Sequence, residues 1–171
     1  MPFAKLFFLM IFLEIAACIL AIGLLAYFFK RKAGMRSKMR NQILQKRASS
    51  FRNAVWLPIR YSSQKYFQKI WKFSVWEKSG VLFLEKGSIF FVSDEQMDQS
   101  LVLSLNSSET FLNWVGMKLW PNGFVNWFSA VSNGETHYFT SETGTFIFTS
   151  RKTTESVYNK LQEYADQPKS G

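Results

Sequence analysis

The sequence predicts a mainly β protein with a single N-terminal transmembrane helix, a basic linker, and an antiparallel β-barrel or sandwich of seven or eight strands followed by a C-terminal helix. Three observations lead to this fold class. An apolar run extends from Leu6 to Phe29, a basic block follows it, and the remainder alternates short apolar strands with turn residues. We therefore divide the chain into a transmembrane anchor (1–29), a partly helical basic juxtamembrane linker (30–65), a β domain (66–166) and a disordered tail (167–171).

The apolar run is long enough for a membrane-spanning helix. At about 1.5 Å per residue, a helix over this run would measure roughly 36 Å, and the hydrocarbon core of a bilayer is about 30 Å thick. Lys5 is the only charged side chain before the run, whereas six basic residues follow it closely: Lys30, Arg31, Lys32, Arg36, Lys38 and Arg40. The positive-inside rule then places the N-terminus outside and the C-terminal domain in the cytoplasm, and we expect the membrane to be a bacterial inner membrane.

Two features of the run leave alternatives open. The segment Ile15-Ala16-Ala17-Cys18 resembles a bacterial lipobox, but the residues after Cys18 stay apolar, where a processed lipoprotein normally turns polar. Glu14 is a carboxylate at a depth where charge is costly. It is either protonated or snorkelling, or it contacts a polar residue of a neighbouring membrane helix, which makes it a candidate partner contact.

Positive charge is concentrated in the first part of the chain. Residues 1–60 hold all but ten of the 21 Lys and Arg and a single acid, while residues 61–171 are close to neutral. The six basic residues after the run are therefore candidate contacts for anionic lipid headgroups, at roughly 1 kcal/mol each near the surface. Met35, Met39 and Ile43 recur at helical spacing and predict a linker helix with a weak apolar edge towards the membrane. Because the rest of the chain is not basic, we expect no nucleic-acid binding.

The pattern of the remaining residues predicts short strands separated by turns. Asn133-Gly134 is the strongest hairpin signal, since both residues tolerate positive φ. A final helix, capped by Thr153 or Thr154, places Val157, Leu161 and Tyr164 on one face. The predicted strands are Ile70–Trp76, Val81–Glu85, Ser88–Val92, Leu101–Leu105, Phe111–Leu119, Phe124–Val131, Glu135–Ser141 and Thr145–Thr149.

This order of elements resembles the pleckstrin-homology-like superfold, with its GRAM and phosphotyrosine-binding relatives. The resemblance covers roughly Phe67 to Ala165, and two stretches carry it: GVLFLEKGSIFFVSD from Gly80 to Asp94, and TGTFIFT from Thr143 to Thr149. It implies a β domain that works by binding. The first predicted hairpin departs from many lipid-binding members, because it offers only Lys78 beside Glu77, with Lys72 in the preceding strand.

Residues for nucleophilic or metal chemistry are scarce. Cys18 is the only cysteine and lies in the apolar run, and His137 is the only histidine and lies in a predicted strand. A His-based metal cluster or a Cys–His nucleophile pair cannot be built within the chain, and glycine-rich phosphate loops are absent. Asp94, Glu95 and Asp98 form either a weak cation site or a solvated loop. We expect no catalytic activity, no metal and no cofactor.

The tryptophans either line a groove for a peptide or lipid tail or fill the core: Trp71, Trp76, Trp114, Trp120 and Trp127. Trp120 lies at a predicted turn, where a large side chain is hard to bury, so it is a candidate partner contact. The sequence thus favours a membrane-anchored, cytoplasm-facing adaptor or scaffold that binds anionic lipid through its linker and recruits or stabilises a membrane-protein partner. The alternative is a GRAM-type or PH-type module that binds a lipid headgroup directly.

Overall fold

The computed structural model describes residues 2–52, 54–85, 87–93, 100–105, 110–142 and 150–166. The elements in chain order are α1 (Pro2–Arg47), β1 (Val55–Ser63), α2 (Gln64–Phe67), β2 (Lys78–Glu85), β3 (Ser88–Ser93), β4 (Ser100–Ser104), β5 (Phe111–Lys118), β6 (Val125–Ser132), β7 (Glu135–Ser141) and α3 (Ser150–Ala165). The chain divides into two units, residues 1–35 and residues 36–171.

The first unit is the N-terminal part of α1. The side chains from Phe7 to Phe29 are exposed, and none of the most apolar window of the helix is buried within the protein. A core helix of the same composition would be buried. By length and composition α1 is able to cross a membrane, and among the described residues no other helix has this property. The prediction of a long apolar N-terminal helix is confirmed.

The second unit is built on one antiparallel sheet of seven strands in the order β4-β3-β2-β1-β7-β6-β5. β1 pairs with β2 along most of its length and with β7 through Ile59 to Ser63, so it joins the two halves of the sheet. β4 and β5 are the two edge strands among the described residues. The mainly β fold with seven antiparallel strands and a C-terminal helix is confirmed.

One core cluster draws side chains from all seven strands, which requires the sheet to curl around it. Ile59, Phe128 and Phe139 are fully buried at its centre. Val157 and Leu161 of α3 pack into the same cluster. The predicted apolar face of the last helix is therefore correct, and it covers the interior of the curled sheet.

The last part of α1, residues 36–47, belongs to the second unit. Ile43 is fully buried against Val81, Phe83 and Val92, in a cluster separate from the main core. Of the three residues predicted to form an apolar edge towards the membrane, Ile43 is covered by the sheet instead, whereas Met35 and Met39 are exposed. A helical pattern alone cannot distinguish a bilayer from a sheet as the apolar surface that covers it.

The first strand differs from the prediction. Ile70–Trp76 is not a strand, and β1 lies at Val55–Ser63, inside the predicted linker. Pro58 weakens the strand pattern of this segment, because proline cannot donate a ladder hydrogen bond. The structure accommodates Pro58 just outside the stretch that pairs with β7, where its carbonyl accepts a hydrogen bond from the Glu142 amide at 3.1 Å.

The start of α3 also differs. The helix begins at Ser150, so neither Thr153 nor Thr154 caps it. Thr154 is buried instead, and its hydroxyl accepts a hydrogen bond from the Ser141 amide of β7 at 3.2 Å. The predicted hairpin at Asn133-Gly134 is correct, with φ of 51° and 78°. The predicted strand Thr145–Thr149 and the tail 167–171 lie outside the described residues.

Candidate functional site

The exposed edge of β5 is the first candidate surface. β5 pairs with β6 on one side, and its other side is unpaired among the described strands. Phe111 and Met117 are exposed to 58% and 56%, and Trp114 packs on Tyr158 of α3 with ring centroids 5.5 Å apart. A bulge between Trp114 and Gly116 interrupts the ladder. The stretch from Phe111 to Trp114 is therefore a regular strand edge with apolar side chains.

A cavity of about 250 Å³ lies beside this edge, between β5 and the end of α3. Phe111, Asn113, Gln162 and Asp166 are among the residues that line it. It combines an aromatic ring with amide and carboxylate groups. Such a cavity can take one side chain of an extended segment that pairs with the strand edge.

The other edge of the sheet is different in kind. β4 has five residues and begins and ends with serine. Val102 is its one large apolar side chain with high exposure, at 52%. A short edge strand with polar ends is a usual protection against unwanted pairing. Of the two edges, β5 is the longer one and has the more exposed apolar side chains.

A second candidate surface, named here the aromatic loop patch, is formed by two adjoining segments, 68–77 and 119–124. Trp71 is exposed to 86% and Trp120 to 69%. The six exposed apolar residues of the patch are Ile70, Trp71, Phe73, Leu119, Trp120 and Phe124. The expected exposure of Trp120 is thus observed. Clustered exposed apolar side chains of this kind mark interaction surfaces.

The five tryptophans considered for a groove do not come together. Trp127 is fully buried beside Phe67, and Trp114 lies over Tyr158. Trp76 is covered by the Arg60 guanidinium, 3.8 Å from its ring centroid. Only Trp71 and Trp120 of this set share a surface, namely the aromatic loop patch.

Three arginines surround Glu142, in what we call the Glu142 cluster. Arg36 Nε and Arg40 Nη1 each donate a hydrogen bond of 2.8 Å to the two carboxylate oxygens. The Glu142 side chain is only 7% exposed. Burial lowers the pKa of Arg60 to about 10, with Glu142 opposing and Arg36 reinforcing the shift. The cluster holds the end of α1 on the sheet by ion pairs that link residues far apart in sequence.

The predicted lipid-contacting residues therefore fall into two groups. Lys30, Arg31, Lys32 and Lys38 are exposed on α1. Arg36 and Arg40 have their guanidinium groups on Glu142. Glu14, the candidate contact within the apolar run, is exposed on α1. The sequence offered no signal for Arg60 or Glu142, because their partners lie on other elements.

His137 lies in β7 and is 6% exposed. Its Nδ1 forms a 3.1 Å hydrogen bond with the Tyr61 hydroxyl, at the wall of a cavity of about 430 Å³ that Ser63 and Lys65 also line. Burial lowers the pKa of His137, and Glu135 partly opposes this. The imidazole is therefore neutral at pH 7 and acts here as a cross-strand hydrogen-bonding residue.

Removing the Tyr61 hydroxyl is expected to change the alkaline stability of the domain. Burial, reinforced by Glu77 and Glu135, raises the pKa of Tyr61 from 10.0 to about 12. The contribution of Tyr61 to the free energy of unfolding therefore has its full value below pH 10 and is lost as the pH rises through 12. In urea unfolding of the detergent-solubilised chain, Tyr61→Phe should cost about 1–2 kcal/mol at pH 7 and should decline less steeply than wild type between pH 10 and 12. Parallel declines would contradict this.

The described residues contain no group of three or more His, Cys, Asp or Glu side chains placed to hold a metal ion. The loop with Asp94, Glu95 and Asp98 lies outside the described residues. Cys18 is exposed on α1. Comparison with protein-family models, with curated proteins and with solved structures finds no match to this chain.

Proposed function

We propose that the chain is a membrane-anchored recognition protein that recruits or stabilises a partner protein in a membrane assembly, and that the edge of β5 is its binding surface. In this proposal the apolar run of α1 is a single membrane span with its N-terminus outside, and residues 36–171, which include the end of α1, lie on the cytoplasmic side. The basis for the orientation is the excess of Lys and Arg directly after the apolar run. The exposed Lys30, Arg31, Lys32 and Lys38 of α1 add attraction to anionic lipid headgroups.

The observation that carries the proposal is the contrast between the two edges of the sheet. An unpaired strand edge presents backbone amides and carbonyls to which an extended segment can add as a further strand. Among the strands that the structure describes, β5 has such an edge, and it adds exposed Phe111 and Met117 and an adjoining cavity. β4 is also an edge strand, but it has only five residues, and Val102 is its one large apolar side chain with high exposure. Backbone pairing supplies affinity, and the side-chain contacts supply specificity.

The strand order and the C-terminal helix support a pleckstrin-homology-like description of the domain. A shared fold does not identify a ligand. The proposed function therefore rests on the β5 edge and on the membrane anchor, and not on the resemblance.

Charged substitutions on β5 test the proposal. The full-length tagged chain is purified in mild detergent beside the double variant Phe111→Lys, Met117→Lys and the control Val102→Lys, which makes the same change on the other edge. These side chains are exposed, so the effect on stability should be within about 0.5 kcal/mol. We expect proteins that copurify with wild type to fall by about tenfold or more with the β5 variant, a loss of at least about 1.4 kcal/mol, and to remain with the control. Equal recovery from all three proteins would reject β5 as the binding surface.

A further inference from the structure

We propose that the aromatic loop patch inserts into the interface of an anionic phospholipid bilayer. This is a contact separate from the β5 edge. It rests on one part of the proposed function, namely that α1 spans a membrane. The patch presents two tryptophans, two phenylalanines and two aliphatic side chains at high exposure. Aromatic rings, tryptophan above all, are favoured at the level of the lipid headgroups, where an apolar body meets a polar boundary.

The charges around the patch match an anionic surface. Lys65, Lys69 and Lys72 precede or lie within the first segment, and Lys118 directly precedes the second. No acidic residue occurs between Lys65 and Trp76 or between Phe111 and Gly134. The nearest acid in sequence, Glu77, accepts hydrogen bonds from the backbone amide and hydroxyl of Ser63 at 2.9 and 2.6 Å. Exposed apolar side chains that are flanked in sequence by lysines, with the hydrogen-bonded Glu77 as the one acid of the two segments, are typical of surfaces that bind anionic membranes.

The two segments are fixed to each other and to the core. Lys72 donates a hydrogen bond to the Asn122 side chain, and Trp127 Nε1 donates one to the Asn122 carbonyl at 3.2 Å. Gly123, at φ 77°, lies so close to Val75 that a Cβ would come within 2.5 Å of a valine methyl group. These contacts hold the two segments together, and preorganisation of this kind lowers the entropic cost of binding.

Chain connectivity limits how far the patch can lie from the end of the apolar run. The Arg36 guanidinium lies 5.9 Å from the ring centroid of Trp76, three residues after Phe73. Arg36 follows Phe29 by only seven residues, a stretch that reaches at most about 25 Å in any conformation. If Phe29 ends a membrane span, the local concentration of bilayer around the patch is high, and weak individual contacts are sufficient for insertion.

Spin labels in the full-length chain test this inference. In a Cys18→Ala background, single cysteines are introduced by Phe73→Cys and Leu119→Cys in the patch, by Val102→Cys on β4 as the aqueous control, and by Leu20→Cys in the apolar run. Each labelled protein is reconstituted into vesicles of phosphatidylcholine with phosphatidylglycerol, and into phosphatidylcholine alone. Power saturation then compares collisions with oxygen, which enters lipid, and with a nickel chelate, which stays in water.

We expect the oxygen-to-nickel ratio at positions 73 and 119 to exceed that at 102 severalfold in the anionic vesicles. The ratio at these two positions should be lower in vesicles of phosphatidylcholine alone. In the anionic vesicles, the double variant Lys69→Glu, Lys118→Glu should reduce the ratio towards that lower value. If the oxygen-to-nickel ratios at positions 73 and 119 equal the ratio at position 102, while the label at position 20 is in lipid, the inference is overturned and the membrane anchor remains supported. A label at 20 in water would overturn the anchor and the inference together. Labels at 73 shielded from both reagents, with spin–spin broadening, would identify a second copy of the chain as the occupant and reject the bilayer.

Discussion

Replacing Glu142 with Gln is expected to lower the free energy of unfolding by about 3 kcal/mol. The change keeps the shape of the side chain but removes the charge that Arg36 and Arg40 share, each at 2.8 Å. It also leaves the buried Arg60 guanidinium without the carboxylate that opposes the lowering of its pKa. Removing one member of a buried ion pair typically costs 3–5 kcal/mol. The low end applies because Arg36 and Arg40 retain 19% and 23% exposure and can be solvated by water.

Urea unfolding of the detergent-solubilised full-length chain, followed by tryptophan fluorescence, provides the measurement. All six tryptophans lie at or after Trp56, so the signal reports on the β domain and not on the apolar run. Glu135→Gln is the matched control, because the same chemical change is made at a carboxylate that is 79% exposed. An effect at position 142 no larger than at position 135 would show that the Glu142 cluster does not stabilise the domain. Arg40→Met combined with Glu142→Gln should cost less than the sum of the two single changes.

Replacing Ile43 with Ala is expected to cost about 2–4 kcal/mol. Ile43 lies near the end of α1. It is fully buried against Val81 and Phe83 of β2 and Val92 of β3. Truncation removes apolar contact and leaves a cavity, and alanine is at least as good a helix former, so the loss arises from packing.

Met39→Ala is the control for this change, since Met39 lies one turn earlier on the same helix and is 40% exposed. It should cost less than about 0.5 kcal/mol. Equal effects of the two substitutions in the same unfolding experiment would mean that residues 36–47 of α1 do not pack on the sheet in solution.

The sequence predicted the elements whose local pattern is strong. The ends of β7 are as predicted, and β3 differs at one end by a single residue, because period-two apolar patterns bounded by turn residues leave little ambiguity. β1 was missed, since Pro58 and the surrounding basic residues favour a linker. Ile70–Trp76 was wrongly predicted as a strand, because its alternating aromatic residues have the composition of a half-buried strand, although Ile70, Trp71 and Phe73 are exposed.

The candidate sites were harder to predict from the sequence than the strands and helices were. Trp120 was identified because a turn limits burial of a large side chain, and this constraint is local. Glu142 follows Arg36 by 106 positions and Arg40 by 102 positions, so no local sequence pattern encodes these ion pairs. The β5 edge depends on which strands end the sheet, which is a property of the topology. The basic residues after the apolar run show the same limit. Composition alone does not reveal that Arg36 and Arg40 pair with Glu142, whereas Lys30 and Lys38 are exposed.

Site-specific photo-crosslinking in intact membranes tests recognition through the β5 edge. A photoreactive phenylalanine analogue is placed at Phe111 on β5 and, as the control, at Val102 on β4, two exposed positions on opposite edges of the sheet. We expect a discrete protein adduct from position 111 that is absent from position 102 and is suppressed by Met117→Lys in the same chain. Adducts of equal yield from both positions, or from position 102 alone, would contradict it.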